Sequence, residues 1–137
     1  MPAFPSRANL LATGLNQASG APEVSEPAGD AKIGAQLMGP TGFTCISCHG
    51  QADAKPIAVF EGQGINFSYV HQRLNPEFLH RWMHHPQRID PTSIMPKYTS
   101  DDGESVLSDV LDGDFHQQVE AMRAHFKAIA SDRAVKE

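Results

Sequence analysis

Cysteine occurs only twice in the 137 residues, both times within one five-residue stretch, so none is left for a structural disulfide elsewhere. Aromatic residues make up 7% of the chain, with a single tryptophan, which leaves a protein-only core lean in large apolar side chains. No run of 18 apolar residues occurs, so no membrane-spanning helix is expected. A secretory leader is not legible either: Arg7 interrupts the first apolar stretch, and Pro2, Pro5 and Asn9 do not build a hydrophobic segment. Positive charge is also in short supply. The net charge of −5 gives no reason to expect a nucleic-acid partner. The length suits one domain with a modest core.

What is present is Cys45-Ile46-Ser47-Cys48-His49. Cys-x-x-Cys-His is the pattern of covalent haem attachment. Two thiols three positions apart on a tight turn can reach the two vinyl groups of one porphyrin, and the adjacent imidazole is then directed at the iron. A large flat prosthetic group would also add the apolar volume that the side chains lack. Two other readings compete. A Cys-x-x-Cys redox pair needs a βαβ context, which this sequence does not offer. A zinc module could take Cys45 and Cys48 with His80 and His84, but the stretch between the pairs is much longer than the usual finger spacing.

Haem held by one histidine leaves the opposite face of its iron open, and the group found there decides between electron transfer and ligand chemistry. Met95 lies on a loop stiffened by Pro91 and Pro96, whose fixed backbone angles reduce the entropy lost on ordering. Met38, Met83 and Met122 lie in helix-like apolar segments and read as core filling, and Met1 as the initiator. His71, His80, His84 and His85 are further ligand types, more simply read as solvated.

Residues 30–131 resemble a class I monohaem cytochrome c domain of the bacterial type. The resemblance is carried by the haem motif together with Leu79, Trp82, Pro86, Ile89, Pro91 and the loop Thr92-Ser93-Ile94-Met95-Pro96-Lys97-Tyr98. It implies His49 as proximal and Met95 as distal iron ligand. It also implies an all-α fold of helices wrapped around one covalently attached haem c. Tyr69, Arg73 and Trp82 are then the donors nearest the expected position of the haem propionates. In this family the first helix crosses the last closely, which gives Gly34 a use. The proximal imidazole also needs a carbonyl partner for its outer N–H, for which Ile65 and Pro56 are both available.

Along the chain, residues 1–29 are rich in Pro, Ala, Ser and Gly and read as an irregular arm or linker. Met1-Pro2-Ala3-Phe4 echoes Met95-Pro96-Lys97-Tyr98, as would the tail of a preceding unit. The cytochrome domain is expected over 30–137. Asp30 caps a first helix that carries Ile33 and Leu37. Asn75 and Pro76 open a middle helix that presents Phe78, Leu79, Trp82 and Met83 on one face and stops near Pro86. Asp114 and Gln117 cap a last helix whose stripe is Phe115, Val119, Met122, Phe126 and Ile129. Residues 100–113 depart from the family pattern and read as an insertion, with Val106, Leu107, Val110 and Leu111 pointing to a further short helix.

Charge is uneven. Arg73, Arg81, Arg88 and four histidines fall in residues 71–88, and six acids with no base fall in residues 101–114. Such a polarity would either orient a redox partner or lie on two solvated faces. Nothing marks a substrate pocket or an acid–base pair. The expectation is a one-electron carrier, or the relay module of a larger oxidoreductase, rather than an enzyme in itself. Its partner would be a redox protein or a fused redox domain. The alternative is a haem enzyme or ligand sensor with a weakly held distal site. Because this kind of haem attachment takes place beyond the cytoplasmic membrane, a periplasmic or otherwise exported location is expected, with the chain a mature form or a fragment of a longer protein.

Overall fold

A computed structural model of the chain describes residues 7–20, 24–59 and 62–134. Its helices are α1 (Ala8–Ser19), α2 (Ala31–Met38), α3 (Val70–Arg73), α4 (Pro76–His84), α5 (Pro86–Ile89) and α6 (Phe115–Ala134). Tighter 3-10 turns occupy Cys45–Ser47, Phe67–Tyr69 and Leu111–Gly113. Among the described residues there is no strand, only two isolated bridges, Gln51 with Ala54 and Thr99 with Ser105. The protein is all-α, as expected.

The core is organised by the crossing of α2 and α6. Asp30 caps α2 by accepting from the Lys32 N–H at 2.7 Å. Asp114 caps α6 through the Gln117 N–H at 3.0 Å and the Gln117 side chain at 2.8 Å. Phe115, Val119, Met122, Phe126 and Ile129 are all buried, and Leu37 and Met38 meet them from α2. The helices approach closely because Gly34 lies against the Ala121 carbonyl, where any Cβ would overlap the α6 backbone. That is the use expected for Gly34.

α4 begins as the sequence indicates. The Asn75 side chain accepts from the Glu77 N–H at 2.9 Å and the Phe78 N–H at 3.3 Å, with Pro76 at the first helical position. Pro86 ends α4 at His85 and opens the single turn of α5. Replacing Asn75 by Ala leaves both N–H groups without that acceptor. The expected loss is about 1 kcal/mol, a melting-temperature drop of roughly 3 °C by circular dichroism.

Two expectations require correction. The N-terminal arm is not irregular throughout, since residues 8–19 form α1. Ala, Leu and Gln favour the helix, and Gly20 closes it in the left-handed region at φ 65°. Leu10, Leu11 and Leu15 of α1 are exposed. Residues 25–29 are strapped to α6: Arg123 donates to the Ser25 carbonyl at 2.6 Å, and the Ala28 N–H donates to Glu120 at 3.0 Å. Met1-Pro2-Ala3-Phe4 lies outside the described residues.

The second correction concerns residues 100–113, which do not form a further α-helix. Leu111 and Asp112 adopt positive φ, and the segment folds back through the Thr99–Ser105 bridge. Buried Gln118 of α6 holds it in place. Its amide donates to the carbonyls of Leu107 at 2.8 Å and Val110 at 2.7 Å, and accepts from the Ser105 hydroxyl at 2.5 Å. These bonds satisfy backbone groups that a helix would otherwise have paired. Leu107, Val110 and Leu111 still pack on the core, which explains their apolar character.

Candidate functional site

Cys45 and Cys48 sit on one turn because Thr44 takes a left-handed conformation, φ 57°, and the chain then coils so that the N–H groups of Cys48 and His49 both donate to the Cys45 carbonyl. Cys45 is buried and Cys48 half-buried. Burial pushes the Cys45 thiol up to about 12. A redox-active dithiol needs a lowered pKa on its attacking sulfur, so this environment, with no βαβ unit among the described residues, does not suit thioredoxin-like chemistry.

His49 follows on the same turn. Its Nδ1 lies 2.8 Å from the Ile65 carbonyl. A carbonyl can only accept, so Nδ1 carries the proton and Nε2 presents its lone pair. Of the two carbonyls considered from sequence, Ile65 is the one engaged. The imidazole stacks on Phe67 at 4.5 Å, and Gly64 lies against the ring, where any side chain would overlap it. Burial lowers the His49 pKa, against the opposing effect of the Ile65 hydrogen bond. A neutral imidazole is what a metal ligand requires.

Met95 reaches the same cleft from a tightly tied loop. Asp90 accepts from both the backbone N–H and the hydroxyl of Thr92, at 2.9 and 2.7 Å. Gln87 donates to the Met95 carbonyl at 2.5 Å, and the Trp82 indole N–H donates to the Met95 sulfur at 3.0 Å. The Trp82 indole therefore makes its polar contact with the thioether.

The cleft has a volume of about 730 Å³ and is lined by Cys45, Cys48, His49, Met95 and Trp82 together with mainly apolar neighbours. α4 contributes Phe78, Leu79 and Met83, and α6 contributes Met122 and Phe126. The face read from the α4 sequence is thus the one turned to the cleft. Tyr69 and Arg73 are not among the lining residues; the Arg73 guanidinium lies over the Tyr69 ring at 4.4 Å. Tyr98 does line the cleft, and burial raises its hydroxyl to about 12.

Sequence reasoning passed over the contributions of Phe67, Gly64 and Gln87. A glycine one residue before the Ile65 carbonyl was the available signal for the first two, but nothing in the sequence marks Gln87 as the loop's anchor.

The Cys2His2 zinc arrangement is not assembled. His80 lies 2.6 Å from Glu120 and stacks on His116 at 4.3 Å, while His84 packs edge-on to Phe115. Both histidines line a second cleft, in which neither cysteine takes part. The basic and acidic stretches noted in the sequence also meet there: Arg81 and Arg88 share its lining with Asp102, Glu104, Asp112 and Asp114. The described residues contain no helix long and apolar enough to cross a membrane.

No family model and no curated protein matches the chain.

Proposed function

We propose that the chain is a class I c-type cytochrome domain that carries one covalently attached haem c and transfers single electrons. The observation that carries this reading is the convergence of Cys45, Cys48, His49 and Met95 on one cleft, with the His49 Nε2 lone pair set by the Ile65 carbonyl. The residues present fit the group. Two thiols share a turn, a neutral imidazole stands beside them, a thioether faces the same space, and the walls are apolar. The volume also lies in the range of cofactor sites.

Cys45 and Cys48 would hold the porphyrin, and His49 and Met95 its iron. A haem held there supplies exchange between the ferrous and ferric forms, and a sulfur ligand favours the ferrous one. The protein's own part is restraint. The ring of His49 is fixed between Phe67 and Gly64, Gln87 and Asp90 hold the loop that presents Met95, and Leu79, Met83, Met122 and Phe126 give the cleft an apolar wall. Restraint of this kind limits rearrangement between redox states. Attachment of this type places the working protein in the periplasm or another exported compartment, with a redox protein or fused redox domain as its partner.

The test is an ultraviolet–visible spectrum of the chain made alongside haem-attachment machinery, compared with Met95→Ala. The wild type should show sharp reduced α and β bands and, when oxidised, the weak long-wavelength band of sulfur–iron bonding. Met95→Ala should keep the haem, lose that band and open the iron to added ligands. An unchanged Met95→Ala spectrum would remove Met95 as ligand. A wild type that lacks the sulfur band and readily takes exogenous ligands would favour a haem enzyme or sensor. Absence of haem despite competent attachment would end the cytochrome reading.

A further inference from the structure

The second cleft, of about 830 Å³, is bounded by the other side of α4 and the start of α6. His116 and Glu120 are one turn apart on α6, and His80 approaches them from α4, so that one ligand atom from each lies within 4.8 Å of the others. On a tetrahedral ion with bonds of about 2.0–2.1 Å, neighbouring ligand atoms stand roughly 3.3 Å apart. His80 and Glu120, 2.6 Å apart and largely enclosed, must therefore part slightly to admit the ion, while the exposed His116 is free to draw in from within 4.8 Å.

Glu120 is already oriented for such a task. The Arg123 guanidinium donates to both of its oxygens, at 2.7 and 2.8 Å, and the Ala28 N–H donates to Oε2. The contact from His80 falls on Oε1. An ion between His80 and Glu120 would replace that one contact and leave the other hydrogen bonds in place, where they orient the carboxylate as the outer partners of metal ligands do. Two imidazoles and one carboxylate suit a borderline divalent transition ion. Ca²⁺ and Mg²⁺ call for more oxygen ligands, and Cu(I) for sulfur.

We propose that His80, His116 and Glu120 form a binding site for one Zn²⁺-class divalent ion, which ties α4 to α6 and keeps a coordination position open to the second cleft. The site uses no residue of the haem proposal and stands or falls separately.

The test is calorimetric titration of the full chain with Zn²⁺, repeated on His116→Ala and His84→Ala, with circular dichroism on each. The wild type should bind one ion. His116→Ala should keep the fold and weaken binding by at least about tenfold. His84→Ala should bind as the wild type does. Three results would each overturn the site: no binding by the wild type, unchanged affinity in His116→Ala, or loss of binding in His84→Ala instead.

Discussion

A single methyl group at position 34 should destabilise the fold by about 2 kcal/mol, although the same exchange in an open helix is favourable. Two effects compete. Gly→Ala raises helix propensity by about 1 kcal/mol, but a Cβ at Gly34 overlaps the Ala121 carbonyl, and backbone cannot move aside as a flexible side chain can. α2 must therefore back away from α6, loosening Leu37 and Met38 against Val119 and Met122. Gly34→Val, with two further methyl groups at the crossing, should cost about 4 kcal/mol or more, a large part of the stability of a domain this size. Gly14 of α1 provides the control, since nothing lies within 4 Å of its Cβ position. Gly14→Ala should preserve or raise helicity. Thermal melts of the three variants followed by circular dichroism would decide. Equal stability of Gly34→Ala and wild type would remove the crossing as the reason for glycine.

The second large effect is expected at Glu120. Burial works to raise its carboxyl, but hydrogen bonds from Arg123, His80 and Ala28 overcome this and hold it at about 2. With a folded value below the ordinary 4.5, its stabilising contribution is fully present above about pH 4.5 and is lost as pH falls toward about 2. Glu120→Gln leaves the buried Arg123 guanidinium facing a neutral amide. Removing one partner of a fully enclosed pair costs about 3–5 kcal/mol; this carboxylate keeps 11% of its side-chain surface in solvent and is partly screened, so about 2 kcal/mol is expected at pH 7. Urea midpoints should show the gap to wild type narrowing between about pH 4.5 and about 2. Parallel pH curves for the two proteins would show that the charge of Glu120 does not stabilise the fold.

Most of the helical framework could be read from local signals. Asp30, Asn75 and Asp114 each cap where an acceptor precedes an apolar period, and the stripe from Phe115 to Ile129 is buried along its length. These features were legible because cap and period act within a few residues. α1 was missed because the prolines and glycines of residues 1–29 dominated the composition around it, and no capping side chain marks where it begins. The 100–113 segment misled for another reason. Apolar residues that anchor a folded loop leave the same spacing as one face of a short helix, and what distinguishes them is Gln118, a residue on another element. At the site, the cysteines, His49 and Met95 were marked by motif and loop chemistry. The stacking of Phe67 on His49, the bond from Trp82 to the Met95 sulfur and the cluster of His80, His116 and Glu120 depend on distant segments meeting in space. No sequence window contains that information.

α4 is nine residues long, and it has no idle side. Phe78, Leu79, Trp82 and Met83 wall one cleft, while His80, Arg81 and His84 wall the other. Because successive residues of a helix point in different directions about its axis, the two sets alternate along a single stretch of chain. A substitution that reshapes one cleft therefore has a neighbour, one or two positions away, committed to the other. Evolutionary drift in this helix is limited from both sides at once, and a change accepted for the sake of one cleft must also be tolerated by the other.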